Sequence, residues 1–366
     1  MSNLLLRYDN LLSINTLIAL GCETNTVTTV TVTQPLNTAY MGKYFQNLSG
    51  PVLTQSEYYK SCISSTSQYQ SVVSVSNIYT SSDYGVTWVQ ASSFNIPPPV
   101  VTISDYWHSI SMSSSGQYQT AVFFSSTVST FYVSNDYGST WTRKYTPDGS
   151  GWYSVAISSS GQYQTVISTI IPGAIQISSD YGNTWNTSTN PNGVFGLQVG
   201  MSSSGSFQIV CGIPNGIYIS NNYGNTWTLN NSSPLNNSIS TLSISSSGQY
   251  ISLGVPNFGI YASNDYGNTW VLNSTYSTWM FSAISISSTG QYQVVVSTYS
   301  RGVNTPNLIA ISTDYGITWR VVSTTPSSLY WGSVSISSAG NYIIGIAGTT
   351  TDTTQNNIYL SFTPSL

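Results

Sequence analysis

Few residues in this 366-residue chain have side chains suited to chemistry: it contains 11 Asp and Glu, 7 Lys and Arg, one His and 3 Cys. Five of the aspartates recur in one motif, Ser-x-Asp-Tyr-Gly-x-Thr-Trp (the SxDYGxTW motif), and a sixth copy carries Asn instead. An amide oxygen can cap a turn, but an amide cannot act as an acid, so we interpret this position as structural. Its six occupants are Asp83, Asp136, Asp180, Asn222, Asp265 and Asp314.

The remaining titratable residues do not form a recognisable catalytic set. A glycosidase needs two carboxylates roughly 5–9.5 Å apart, and outside the motif only Glu57 and Asp105 fall at near-equivalent places in neighbouring repeats. His108 has no catalytic triad around it and no second metal ligand in sequence. We therefore predict no catalytic residues, no cofactor and no metal site.

The composition excludes several classes of protein. Only 5% of residues are charged, against roughly 25% in typical domains, while hydrophobic residues reach 40% and aromatic residues 13%. A chain of this kind can build a core, so disorder is excluded. Seven scattered cations cannot neutralise a row of phosphates, which argues against nucleic-acid binding. The apolar runs are also too short for a transmembrane segment.

The cysteines and the amino-terminal residues leave alternatives open. Cys22, Cys62 and Cys211 form no CxxC pair, so we expect either three small buried residues or one disulfide with a leftover thiol. Residues 1–25 begin with a Leu- and Ile-rich stretch that Arg7 and Asp9 interrupt, which does not fit a secretory signal. We interpret them as an arm that docks or anchors the protein.

Internal repeats determine the predicted fold. A second motif, Ser-Ser-Gly-Gln-Tyr, and one degenerate copy of it place a turn in each of seven units, about 44 residues apart. The turn residues are Ser67, Gly116, Gly161, Gly205, Gly248, Gly290 and Gly340. Before each turn, bulky and small residues alternate, as in a strand with one bulky and one slim face. Units of this length accommodate four short strands, the size of a propeller blade.

We therefore predict an all-β fold: a seven-bladed β-propeller of four-stranded antiparallel blades. The seventh unit has room for only three strands, so an N-terminal strand, placed within Thr26–Thr33, is expected to close the ring. The predicted domains are an arm, residues 1–25, and a single propeller, residues 26–366.

The SxDYGxTW motif resembles the Asp box of the sialidase-like, or BNR-repeat, propellers. This resemblance implies four-stranded blades with the motif on the turn between the third and fourth strands. Sialidases clamp a carboxylate with three arginines, whereas the arginines here, Arg7, Arg143, Arg301 and Arg320, have no spacing that would make three of them converge. The chain is thus similar to a non-catalytic member of the family.

Aromatic residues mark a candidate binding surface near the mouth of the predicted channel. Nine residues before the turn, five of the seven units carry an aromatic residue, and several have an aromatic neighbour. With the polar rim, the candidate residues are Tyr58, Tyr106, Trp107, His108, Trp152, Tyr153, Phe281, Arg301, Tyr330 and Trp331. These rings either stack on sugars or only fill the space between blades.

Two functions from different classes follow from these features. The first is a non-enzymatic structural or attachment protein, extracellular or on the surface of a virion, whose arm binds a larger assembly such as a capsid or a cell-surface layer. The second is a soluble carbohydrate-binding propeller with glycans as partners. A glycoside hydrolase is the residual alternative.

Overall fold

The computed structural model describes residues 46–47, 53–54, 60–74, 77–91, 106–124, 130–144, 151–169, 174–188, 195–213, 216–232, 239–300, 308–322, 329–349 and 355–362. These residues form 29 short strands and one 3₁₀ helix. Residues 1–45, which contain the predicted arm and Thr26–Thr33, lie outside them. No described helix has the length and apolar character needed to span a bilayer.

The first two strands of the chain, β1 (Gln46–Asn47) and β2 (Leu53–Thr54), belong to the last sheet. Three four-stranded blades follow. Their strands are β3 (Lys60–Ile63), β4 (Gln70–Val73), β5 (Ile78–Ser81) and β6 (Val89–Gln90); β7 (Tyr106–Met112), β8 (Gln119–Phe124), β9 (Thr130–Ser134) and β10 (Thr142–Lys144); and β11 (Trp152–Ile157), β12 (Gln164–Ser168), β13 (Ile175–Ser178) and β14 (Asn186–Thr187).

Three further four-stranded blades complete the set of six. Their strands are β15 (Phe195–Met201), β16 (Gln208–Ile213), β17 (Gly216–Ser220) and β18 (Thr228–Leu229); β19 (Thr241–Ile244), β20 (Ile251–Val255), β21 (Gly259–Ser263) and β22 (Val271–Asn273); and β23 (Trp279–Ile286), β24 (Gln293–Ser300), β25 (Ile309–Ser312) and β26 (Arg320–Val321). The 3₁₀ helix, Ser274–Tyr276, follows β22.

The prediction of seven four-stranded blades is wrong, because the structure has six blades of four strands. The remaining sheet has five strands: β27 (Leu329–Ile336), β28 (Tyr342–Thr349) and β29 (Gln355–Phe362), with β1 and β2 both paired to β29. β1 pairs at Leu360 and Tyr359, and β2 pairs at Asn356 and Gln355.

The sheets form a closed ring. Each innermost strand contacts those of its two neighbours, and β27 contacts β3. At this junction Ser61 N–H donates to Ser333 Oγ (3.1 Å), and Ser335 Oγ donates to the Ser61 carbonyl (2.8 Å). The hydrophobic core lies between sheets: one cluster joins Val294 and Ile311 of one sheet to Trp331 and Ile343 of the next.

Six SxDYGxTW motifs form the turns between the third and fourth strands of the six blades. In the second blade, Asp136 Oδ1 accepts from the Ser134 hydroxyl (2.8 Å) and from Thr140 N–H (2.9 Å), while Oδ2 accepts from the Thr140 hydroxyl (2.6 Å). Tyr137 and Gly138 adopt positive φ of 62° and 82°. These bonds satisfy polar groups that the turn would otherwise leave unpaired.

Asn222 forms the same turn with an amide. Its Oδ1 accepts from Thr226 N–H (3.0 Å), and its Nδ2 donates to Thr226 Oγ1 (2.8 Å). The amide of Asn222 bonds the same groups as the carboxylates of the other motifs. The one difference is that it donates to the Thr226 hydroxyl instead of accepting from it. This position therefore requires a hydrogen-bonding side chain and not an acid.

Six serine backbone hydrogen bonds link the seven sheets at the Gly turns. Each of the first six serines donates its N–H to the carbonyl of the serine at the same position in the next sheet, over 2.8–3.0 Å. The successive residues are Ser65, Ser114, Ser159, Ser203, Ser246, Ser288 and Ser338. These bonds use backbone groups on the inner edges of the sheets, which have no further strand beside them.

Candidate functional site

The innermost strands surround a central cavity of about 280 Å³. One repeated position, seven residues before the turn, contributes a residue to its wall from each sheet. In chain order these are Lys60, Ser109, Ser154, Gln198, Thr241, Ala283 and Ser333. The cavity lies on the ring axis, and every sheet contributes to its wall.

Most residues at this position are small hydroxyl residues, and they tie neighbouring sheets together. Ser109 Oγ accepts from Val155 N–H (3.3 Å), and Thr241 Oγ1 accepts from Ile284 N–H (3.0 Å). Such a bond satisfies an edge N–H of the next innermost strand. Ala283 is small but has no hydroxyl, and Lys60 and Gln198 are long side chains that this structural role does not explain.

Lys60 extends across the ring. Its Nζ donates to the carbonyl of Ser282 (3.0 Å), which belongs to β23, two sheets away. Burial lowers the pKa of Lys60 to about 8. The amine thus remains predominantly protonated at neutral pH and places a positive charge at the cavity.

β-Bulges place further side chains at the same cavity. In β7 and β11 the register shifts between Trp107 and Ser109 and between Trp152 and Ser154. His108 and Tyr153 are therefore the extra residues, and both line the cavity. Bulges re-aim side chains in this way and are frequent next to functional sites. Leu197, Ser282 and Gly332 occupy the corresponding shifts in β15, β23 and β27.

His108 is held neutral. Its side chain is 8% exposed, and its ring centroid lies 3.4 Å from that of Tyr153. Burial, assisted by the charge of Lys60, lowers the pKa of His108 to about 3. At neutral pH the imidazole is uncharged and can both donate and accept a hydrogen bond.

The large aromatic residues predicted to bind sugars are buried. Trp107, Trp152 and Trp331 are 0% exposed and Phe281 is 5% exposed. They pack in the clusters between sheets; Trp152, for example, meets Phe131 edge-on at 5.7 Å. In this conformation these rings fill space between sheets, and no ring face is available for stacking on a sugar.

The other predicted site residues divide into three groups. His108 and Tyr153 are brought together at the cavity. Tyr106 and Tyr330 lie in β7 and β27, while Tyr58 and Arg301 lie outside the described residues. The catalytic candidates Glu57 and Asp105 also lie outside them.

Sequence reasoning missed Lys60, Gln198 and Thr241 as cavity residues. A signal was present, because Lys60 and Gln198 are the two departures from small residues at their repeat position. The residues predicted from the sequence are large aromatic residues two positions upstream. Those residues point between sheets, since the bulge at the intervening position changes the alternation.

The described carboxylates are all engaged in the motif turns. Burial raises the pKa of Asp83, Asp136, Asp180, Asp265 and Asp314, but hydrogen bonds from the motif Thr and Ser outweigh it and leave each pKa below its ordinary value. They remain ionised at neutral pH and are unsuited to the role of general acid.

The described part of the chain offers no metal centre. Among its residues no group of three or more His, Cys, Asp or Glu lies close enough to hold an ion. Cys62 and Cys211 are free and buried, and burial raises the pKa of both thiols. Cys22 lies outside the described residues.

Comparison with known proteins supports the fold and leaves the family open. No protein-family profile matches the sequence, and no curated protein matches it. The structure of YCF48 bound to D1 peptide, another β-propeller, has a TM-score of 0.61 to this chain, with 13% identity over 88% of this chain and 96% of that one. At this identity the likeness shows the fold alone. Because 1507 chains of solved structures match, the fold does not identify a function.

Proposed function

We propose that this protein is a non-enzymatic attachment propeller on the surface of a virion or a cell, whose rigid ring presents the central cavity to a partner. The observation that carries the proposal is that its acidic residues and its other polar residues lie in different places. The described carboxylates serve the turns, while the cavity is lined by Lys60, His108 and hydroxyl groups. The described lining of the cavity contains no carboxylate, which supports a binding role over a hydrolytic one.

We also infer that the ring belongs to the sialidase-like Asp-box propellers. Six turns with one hydrogen-bond pattern, each between the third and fourth strands, support this assignment. The structure of YCF48 bound to D1 peptide is an example of a similar ring with a peptide ligand, which is compatible with a partner-binding role here.

Attachment is tested by comparing the full chain with a chain that lacks residues 1–25. The full chain is expected to sediment with virions or cell envelopes of its source, and the truncated chain is expected to keep its melting temperature but remain in the supernatant. A full chain that stays in the supernatant would contradict the proposal. Glycoside hydrolysis that is lost in Glu57→Gln or Asp105→Asn would replace it with an enzymatic function.

Carbohydrate binding is the second candidate, and the motif tyrosines favour it. These tyrosines are between 36% (Tyr315) and 44% (Tyr266) exposed, and each contacts an aromatic ring of the preceding sheet, as Tyr223 contacts Tyr163 at 4.3 Å. A glycan array should then show binding that Tyr223→Gly weakens. Glycine suits the φ of 63° at this position, so the turn should persist.

A further inference from the structure

Several hydrogen-bond donors that line the central cavity have no acceptor among the described protein groups. Lys60 Nζ has three N–H groups, of which one donates to Ser282. The hydroxyls of Ser109, Ser154 and Thr241 accept backbone N–H groups. None of these three hydroxyls donates to another described residue, so each retains a proton to donate.

The cavity also carries a positive charge that no described acid balances. Lys60 is the one charged side chain among the described residues of the lining, which include His108, Tyr153 and Gln198 but no Asp or Glu. The described aspartates lie in the motif turns on the outer strands. Surplus donors around a single cation are the chemistry of an anion receptor.

The position of Lys60 in the repeat indicates that the charge is not needed for folding. Four of the six equivalent residues, Ser109, Ser154, Thr241 and Ser333, are small and satisfy an edge N–H of the neighbouring sheet. A lysine at this position forgoes that bond and places a charge in the interior of the ring, which is unfavourable for stability. A ligand of opposite charge would offset this cost.

We infer that the cavity binds a small carboxylate, with its oxygens on Lys60 Nζ and on the hydroxyls of Ser109, Ser154 or Thr241. One positive charge matches a monoanion, whereas a phosphate would carry −1.5 to −2 at neutral pH. About 280 Å³ equals the liquid volume of roughly nine waters at about 30 Å³ each, enough for a carboxylate and a few attached atoms. The carboxylate comes either from a free small acid or from the C-terminus of a polypeptide.

This inference deepens the proposed attachment function and rests on it for its biological purpose, but its test uses the isolated protein. The full chain is titrated with acetate and with acetamide, its neutral isostere, and binding is followed by relaxation of the ligand methyl protons in NMR. Acetate is expected to bind at least tenfold more tightly than acetamide. This comparison needs no variant and is independent of association with a particle.

Two lysine variants locate the site. Lys60→Met keeps the length of the side chain, removes the charge and should weaken acetate binding at least tenfold. Lys144→Met is the matched control, because Lys144 Nζ also donates to a backbone carbonyl, that of Asn183 (3.2 Å), but on an outer strand. It should leave acetate binding unchanged.

The source of the carboxylate is distinguished with triglycine. Free triglycine that binds more tightly than both acetate and triglycine amide supports a polypeptide C-terminus, and binding no tighter than acetate supports a free small acid. The inference is overturned by absence of acetate binding, by equal affinity for acetamide, or by acetate binding that survives Lys60→Met. Loss of particle attachment with intact acetate binding would instead count against the proposed attachment function alone.

Discussion

His108 and Lys60 show how single residues depart from a repeated scaffold. Both occupy inner-strand positions at which the other sheets mostly carry smaller or aromatic residues, and both line the cavity. Burial disfavours the charged form of each, and it lowers the pKa of His108 far enough that this residue is neutral at physiological pH. The two residues differ in what they contribute to the cavity. Lys60 contributes a positive charge, and His108 contributes an uncharged hydrogen-bonding group.

At this scale we predict a contribution of His108 to acid sensitivity. Its pKa falls from 6.5 to about 3 on folding, so between these values the unfolded chain binds a proton that the folded chain does not. The contribution of His108 to the free energy of unfolding is therefore largest above about pH 6.5 and falls as the pH decreases. Between about pH 6.5 and 4.5 the free energy of unfolding should fall by about 2 kcal/mol more for the native chain than for His108→Gln. Urea unfolding at each pH measures this difference.

The quantity to compare is the slope with pH, because the substitution also removes the contact with Tyr153. Lys60 stays protonated in both states over this interval, since its pKa is about 8 when folded. Parallel pH profiles for the native chain and His108→Gln would contradict the prediction.

At the scale of strands, paired residues match neighbouring sheets to one another. The fourth residue after a turn donates its hydroxyl to a glutamine at the third position after the next turn. The bonds are Ser71–Gln119 (2.8 Å), Thr120–Gln164 (2.5 Å), Thr165–Gln208 (2.7 Å) and Ser252–Gln293 (2.7 Å). Elsewhere both members are apolar: Ile209 with Ile251, and Val294 with Ile343.

The junction that closes the ring is mismatched. The residue equivalent to Ser71 in the preceding sheet is Ile344, which has no hydroxyl, and Gln70 Oε1 is buried without a hydrogen-bond partner. A buried acceptor of this kind destabilises the fold by about 1–3 kcal/mol. The junction therefore has one interaction fewer than the hydroxyl–glutamine interfaces.

We predict opposite outcomes for the same substitution at two equivalent glutamines. Gln119→Ile should destabilise the protein by about 1–3 kcal/mol, because the buried Ser71 hydroxyl loses its acceptor. Gln70→Ile should be neutral or stabilising, since it removes the unpaired oxygen and loses only the bond to the Ser67 carbonyl (3.1 Å). Urea unfolding at neutral pH measures both, and equal losses would show that the mismatch has no energetic effect.

At the scale of the whole molecule, the ring depends on joining the two ends of the described chain. β1 and β2 pair with β29, and β3 then follows as the innermost strand of the first blade. The amino-terminal segment therefore covers the outer edge of the last sheet and connects it to the first. Without it β29 would present unpaired backbone groups, which favour opening and aggregation.

Two truncations test this closure. Removing residues 1–54 deletes β1 and β2 and should lower the melting temperature by several degrees and broaden the unfolding transition, because several backbone hydrogen bonds of about 1 kcal/mol each are lost. Removing residues 1–45 keeps both strands and should leave the transition unchanged. Equal destabilisation by the shorter truncation would assign closure to residues 1–45, where Thr26–Thr33 lies.

The sequence by itself determined the repeat, the antiparallel strands and the role of the motif turns, because these depend on local alternation, on turn chemistry and on spacing along the chain. Asn222 was sufficient to indicate that the motif position is structural. The tertiary structure alone decided the five-stranded sheet, the burial of Trp107, Trp152 and Trp331, and the meeting of Lys60 with His108 at the axis. The physical reason is that edge pairing and β-bulges are set by contacts between residues distant in sequence, and one bulge reverses which side chains face the axis.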